Sequence, residues 1–99
     1  MATDLTYDYD SIGDTLYIFE GVPRDTRNID IEDNIVLRVD PKAHRAVGMM
    51  VHNVSLIYGQ VDKRTLDGML HLAKALLRSY NLMLERYPDA EQALVGQTA

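Results

Sequence analysis

Hydrophobic positions along the chain follow two periods in succession. Up to about Val54 apolar and polar residues alternate, the period of a strand with one buried face. From about Asp62 the apolar residues recur every three or four positions, the period of a helix. Turn chemistry divides the first region, at Asp10-Ser11-Ile12-Gly13, Gly21-Val22-Pro23, Glu32-Asp33-Asn34 and Asp40-Pro41-Lys42-Ala43-His44. Connections this short favour antiparallel neighbours. The pattern therefore predicts an α+β fold, an antiparallel β-meander of about five short strands over residues 5–54 packed on one long C-terminal helix over 62–87.

Alternation assigns the faces. Ile29 and Ile31, then Ile35, Leu37 and Val39, then Val47, Met49 and Val51 each line one side, while Asn28, Asp30 and Arg38 point to the other. The strand at Leu16-Tyr17-Ile18-Phe19 differs, because Leu16 and Ile18 suit a core while Tyr17 and Phe19 put aromatic surface opposite. That strand is expected to be covered on both sides or to join a subunit contact. Gly48 inside the last strand marks a bulge or a close approach, with a helix lying over it as the simplest cause.

Asp62 is the expected N-cap of the helix, and Pro88 ends it. Between them Leu66, Met69, Leu70, Ala73, Leu76, Leu77, Tyr80, Met83, Leu84 and Tyr87 repeat with helical spacing, and Leu72 lies at the edge of the stripe. A helix of about 25 residues is on the order of 37 Å long. A sheet of four or five strands is only roughly 19–24 Å wide. The stripe is too long for its own sheet and too broad for a narrow coiled-coil seam, so part of it is expected to pack on a second copy. Leu66, Met69, Leu70, Leu76, Leu77, Tyr80, Met83 and Leu84 are the candidate dimer-helix residues, with Gly68 and Asn81 expected to loosen the helix. Residues 88–99 are expected to form a flexible tail.

Composition narrows the class without naming a chemistry. Ninety-nine residues, 46% hydrophobic and 25% charged, suit one soluble domain. No cysteine is present, which removes disulfide and thiolate chemistry, and no secretory pattern or long apolar run appears, so a cytoplasmic location off the membrane is expected. The net charge of −5 disfavours nucleic acid, whose phosphates require a basic patch. Ten acids stand against five bases in residues 1–61, and five against five beyond, so the acidity belongs to the strand region.

Candidate sites are few. Asp8, Asp10 and Gly13 match the opening of a calcium loop, but Ile12 stands where an oxygen ligand is needed and Phe19 where a bidentate Glu belongs. The better reading is a tight turn in which Asp side chains accept nearby backbone N–H groups. His44, His52 and His71 lack the spacing of a zinc site, and no Ser or Thr sits in a nucleophile elbow or phosphate loop. No catalytic residue, metal ligand or cofactor is assigned. Tyr7, Tyr9, Tyr17 and Phe19, with His52 on the wet face beside Met50, form the candidate interaction surface; cross-strand packing is the plainer account of the aromatics.

The order Tyr7-Asp8, Asp14, Leu16-Tyr17-Ile18, Ile35 to Asp40 and Val47-Gly48-Met49 resembles a small bacterial and archaeal family, domain of unknown function 2283, over about residues 5–54. The chain departs from it at Pro41-Lys42-Ala43-His44-Arg45, where relatives often carry an acidic residue and Gly, and at Met50, where they often carry an acid. The resemblance implies a β-meander and no established activity; some relatives are encoded beside small ribonuclease-like toxins. The expected function is a non-enzymatic, homodimeric protein-interaction module. Two alternatives stand beside it: an antitoxin-like partner of a small basic toxin, and a small-ligand or metal protein using a dimer cleft with Asp8, Asp10, Asp14 or His52 as contacts.

Overall fold

The computed structural model describes residues 5–21, 25–87 and 89. Five strands form one antiparallel sheet: β1 (Leu5–Asp10), β2 (Thr15–Glu20), β3 (Arg27–Glu32), β4 (Ile35–Asp40) and β5 (Arg45–His52). A short helix α1 (Val54–Tyr58) and a long helix α2 (Lys63–Arg86) follow. The α+β class, the five antiparallel strands and the long C-terminal helix are those the hydrophobic pattern predicts. The order across the sheet, β1-β2-β5-β4-β3, is not sequential. The β1–β2 hairpin and the β3–β4–β5 meander are joined so that β5 lies beside β2, leaving β1 and β3 as edges.

Two hairpin turns share one construction. Asp10 Oδ1 accepts the Ile12 N–H at 3.0 Å, and Asp40 Oδ1 accepts those of Lys42 and Ala43 at 2.9 and 3.2 Å. Each turn closes four residues later on a left-handed residue, Asp14 at φ 52° and His44 at φ 54°. Asp tolerates that conformation better than most side chains, and each turn thereby fixes the register of its hairpin.

The core lies between one sheet face and α2. Leu16, Ile18, Ile29, Leu37, Val39, Met49 and Val51 are buried there with Val54, Met69, Ala73 and Leu77. One expected face assignment changes. The register shifts between Arg38 and Val39, which pair with Gly48 and Ala46, so a bulge removes Val47 from the alternation. Ala46 joins the cluster beneath α2, and Val47, although buried, lies outside it. Gly48 is required by β2 and not by a helix: a Cβ there would stand 2.4 Å from the Ile18 carbonyl oxygen.

Helix α2 begins where its cap predicts, with Asp62 accepting the Thr65 N–H at 2.9 Å. It lies over β5 and β1. Asn81, expected to loosen this helix, stitches it down instead. Its amide accepts the Ala46 N–H at 2.7 Å and donates to the Ala46 carbonyl at 3.1 Å. The β2–β5 pairing ends at Phe19 and Gly48, so a side chain satisfies the next backbone pair of β5. Of the tail expected over 88–99, all but Asp89 lie outside the described residues.

Candidate functional site

The expected aromatic cluster is divided by the sheet. Tyr7 pairs with Ile18 and Tyr9 with Leu16, which places both tyrosines on the core side. Their hydroxyls donate to carboxylates, Tyr7 to Asp67 Oδ1 at 3.0 Å and Tyr9 to Asp14 Oδ1 at 2.6 Å. Donation to a carboxylate favours the protonated phenol, so both tyrosines titrate above the ordinary value. Tyr17 and Phe19 alternate to the outer face with Met50 and His52. Strand alternation separates what proximity in sequence suggested was one patch.

Asp14, a candidate cation ligand, has its oxygens occupied by donors of the chain. Both carboxylate oxygens accept the Ser55 N–H at 3.1 Å, Oδ2 accepts the Ser55 hydroxyl at 2.6 Å, and Oδ1 takes the Tyr9 hydroxyl. The Asp14 carbonyl also accepts the Val54 N–H at 3.2 Å. The first two N–H groups of α1 are thus capped from the β1–β2 turn, and its own N-cap residue Asn53 makes no side-chain cap. The Ser55 hydroxyl, then Tyr9, holds the Asp14 carboxyl below the usual carboxylate range. Asp10 is engaged in its turn, and Asp8 points outward from β1. Among the described residues no group of three or more His, Cys, Asp or Glu side chains has the arrangement of a metal site.

His52 is oriented on the outer face. The Thr15 hydroxyl donates to the Gly13 carbonyl at 3.1 Å and lies 3.3 Å from His52 Nδ1. His44 and His71 are exposed.

The candidate dimer helix divides as well. Met69, Leu77 and Leu84 are buried, and Leu66, Leu70, Tyr80 and Met83 are half-buried. Leu76 is 44% exposed, Leu72 61% and Leu82 52%. At 100° per residue Leu72, Leu76 and Met83 lie within about 40° of one another, beside the core-facing stripe and continuous with it. Gly68 belongs to the same flank, and among the described residues a Cβ there would meet nothing within 4 Å. A further apolar group escaped the sequence reading, at the end of the sheet where the β1–β2 turn meets α1. Ile12 is 98% exposed there and Leu56 81%, and Ile57 and Tyr58 are exposed as well. The run Leu56-Ile57-Tyr58 was its only signal, in a stretch that reads as a joint between two periods.

Fold and surfaces together define a single-sheet α+β protein whose exposed features are apolar and acidic surfaces. No family model, curated protein or solved structure matches the chain. No helix among the described residues is long and apolar enough to cross a membrane.

Proposed function

We propose that the protein is a non-enzymatic, cytoplasmic interaction module that pairs with a second copy of itself through α2 and presents the outer face of its sheet to another protein. The proposal includes membership of residues 5–54 in the family they resemble. The observation that carries it is the exposed apolar flank of α2. Leu72 and Leu76 stay open to water beside half-buried Met83, on a helix whose other apolar stripe is already committed to its own core. Contiguous exposed apolar surface on a helix is costly to keep without a partner.

Gly68 supports the same reading. Glycine in a helix interior is less favourable than alanine by about 0.8–1 kcal/mol, and nothing among the described residues requires its small size. A second helix approaching closely supplies the reason. Ala75 and Ser79 fall on the same side and keep that approach shallow.

Light scattering and sedimentation test this directly. The wild-type chain is expected to run as a dimer, and Leu72→Ser/Leu76→Ser as a monomer with its helical circular dichroism and melting cooperativity retained. A compact wild-type monomer across the micromolar range would remove the central support.

A further inference from the structure

The outer face of the sheet can be written out from the strand registers. One row across it runs Asp8, Tyr17, Met50, Val36, Asp30, from edge strand β1 to edge strand β3. The next row begins Asp10, Thr15, His52; on β3 the register shifts after Asp30, so Glu32 stands opposite Ile35 and not in this row. On the other side of the central row lie Thr6, Phe19, Gly48, Arg38 and Asn28. The middle of the face is thus apolar and aromatic, and both edges carry carboxylates.

Tyr17, Phe19 and Met50 are half-exposed, and none belongs to the core beneath α2. Asp8 and Asp30 have no ion-pair partner among the described residues. Arg38 is the one cation in these rows, and its Nε donates to Thr26 Oγ1 at 3.0 Å at one end of the face.

We propose that this face docks a basic amphipathic helix, seated along the strands with its apolar stripe on Tyr17, Phe19 and Met50 and its lysines or arginines against Asp8 and Asp10 on one side and Asp30 on the other. The dimensions fit. Four strand spacings separate β1 from β3, about 19 Å, whereas a helix with its side chains is about 10–12 Å across. A helix lying over β2, β5 and β4 leaves a few ångströms on each flank, the span a lysine or arginine side chain bridges to reach an edge carboxylate. Apolar contact supplies affinity, and the two acidic edges set orientation and exclude acidic competitors. A second copy of this chain is a poor occupant, since its own outer face would bring acids against acids.

The inference rests on the reading above in leaving the outer face open to another protein, but it does not require the helix-mediated dimer. The probe is a fluorescently labelled peptide of about 14 residues with leucine along one helical face and lysine on both flanks, with a glutamate-for-lysine version as control. The lysine peptide is expected to bind, and the glutamate peptide not. Asp8→Asn/Asp30→Asn, which touches only exposed carboxylates, should weaken binding about tenfold. Phe19→Ser/Met50→Ser should abolish it, and Leu72→Ser/Leu76→Ser should bind as the wild type does. Equal binding of the two peptides, or full binding by the carboxylate variant, would overturn the proposal; so would loss of binding in the α2 variant, which would move the site to the helix. If Phe19→Ser/Met50→Ser fails to fold, amide shift mapping on the wild-type chain decides: perturbations confined to α2 would overturn the proposal, and perturbations across β2, β5 and β4 would support it.

Discussion

Asp14 joins three parts of the chain through one carboxylate: the β1–β2 turn that contains it, the Tyr9 hydroxyl, and the first turn of α1 through Ser55. Its left-handed backbone closes the hairpin while its side chain caps α1, so the turn and the cap are linked through one residue. Asp14→Asn removes the charge and replaces one acceptor oxygen with a donor facing donors. It is expected to lower the melting temperature and to free α1 first, seen as faster amide exchange at Val54 and Ser55. The pH dependence has a fixed sign. Because the folded carboxyl titrates below its unfolded value, its contribution is complete above the ordinary carboxylate pKa of about 3.9 and is lost as pH falls through the lower folded value. Urea midpoints of wild type and Asp14→Asn should therefore differ at pH 6 and converge in strong acid; a constant difference would refute the role of the charge. At this scale the sequence was only half legible. The turn-forming use of Asp10 and the capping use of Asp62 follow from their immediate neighbours, and both are found. Ser55, which Asp14 caps, and Ala46, which Asn81 holds, lie 41 and 35 residues away from them, and no local pattern encodes a contact made only after the sheet has closed.

Elements are where the hydrophobic pattern spoke most clearly and where two glycines separate local from tertiary causes. Five strands and α2 were readable because half-buried strands and a half-buried helix impose periods of two and 3.6 on their sequences. The placement of β5 beside β2 was not, since alternation fixes which face a residue takes and is silent on which strand lies alongside. Helix α1 was missed because five residues give no period. At Gly48 the pattern correctly indicated a bulge but not what presses on it, which is the β2 backbone. Gly48→Ala should therefore destabilise by about 1–3 kcal/mol in urea titrations, because a backbone carbonyl must move to admit the methyl group. Gly68→Ala, on an open helical surface, should stabilise the monomer by about 0.5–1 kcal/mol when measured at dilution below association. One class of substitution gives opposite signs, determined by what stands 4 Å beyond the missing Cβ. If Gly48→Ala proved neutral, the close approach of β2 and β5 would be refuted.

For the whole molecule the governing quantities are its dimensions and its charge. The principal extents are 38 × 33 × 21 Å, and the chain carries a net charge of −5. At about 0.01 M salt the screening length is about 30 Å, comparable to the molecule itself, so two copies repel through their total charge wherever they meet. At about 0.15 M it is about 8 Å, and only charges near a contact are felt. The exposed flank of α2 is mostly apolar there, with the cation of Arg86 confined to the last turn. Raising salt should therefore strengthen pairing of the copies, because it removes long-range repulsion and leaves the apolar contact intact. The outer face should respond in the opposite sense, since its acidic edges attract a lysine-flanked helix and salt weakens that attraction. Sedimentation equilibrium for the dimer and fluorescence anisotropy for the peptide, each at both salt concentrations, read the two signs separately. Salt-weakened pairing would place charged contacts in the dimer and argue against the apolar flank of α2 as its seat. Salt-insensitive peptide binding would take the acidic edges out of recognition and leave the apolar centre of the sheet as an unselective surface.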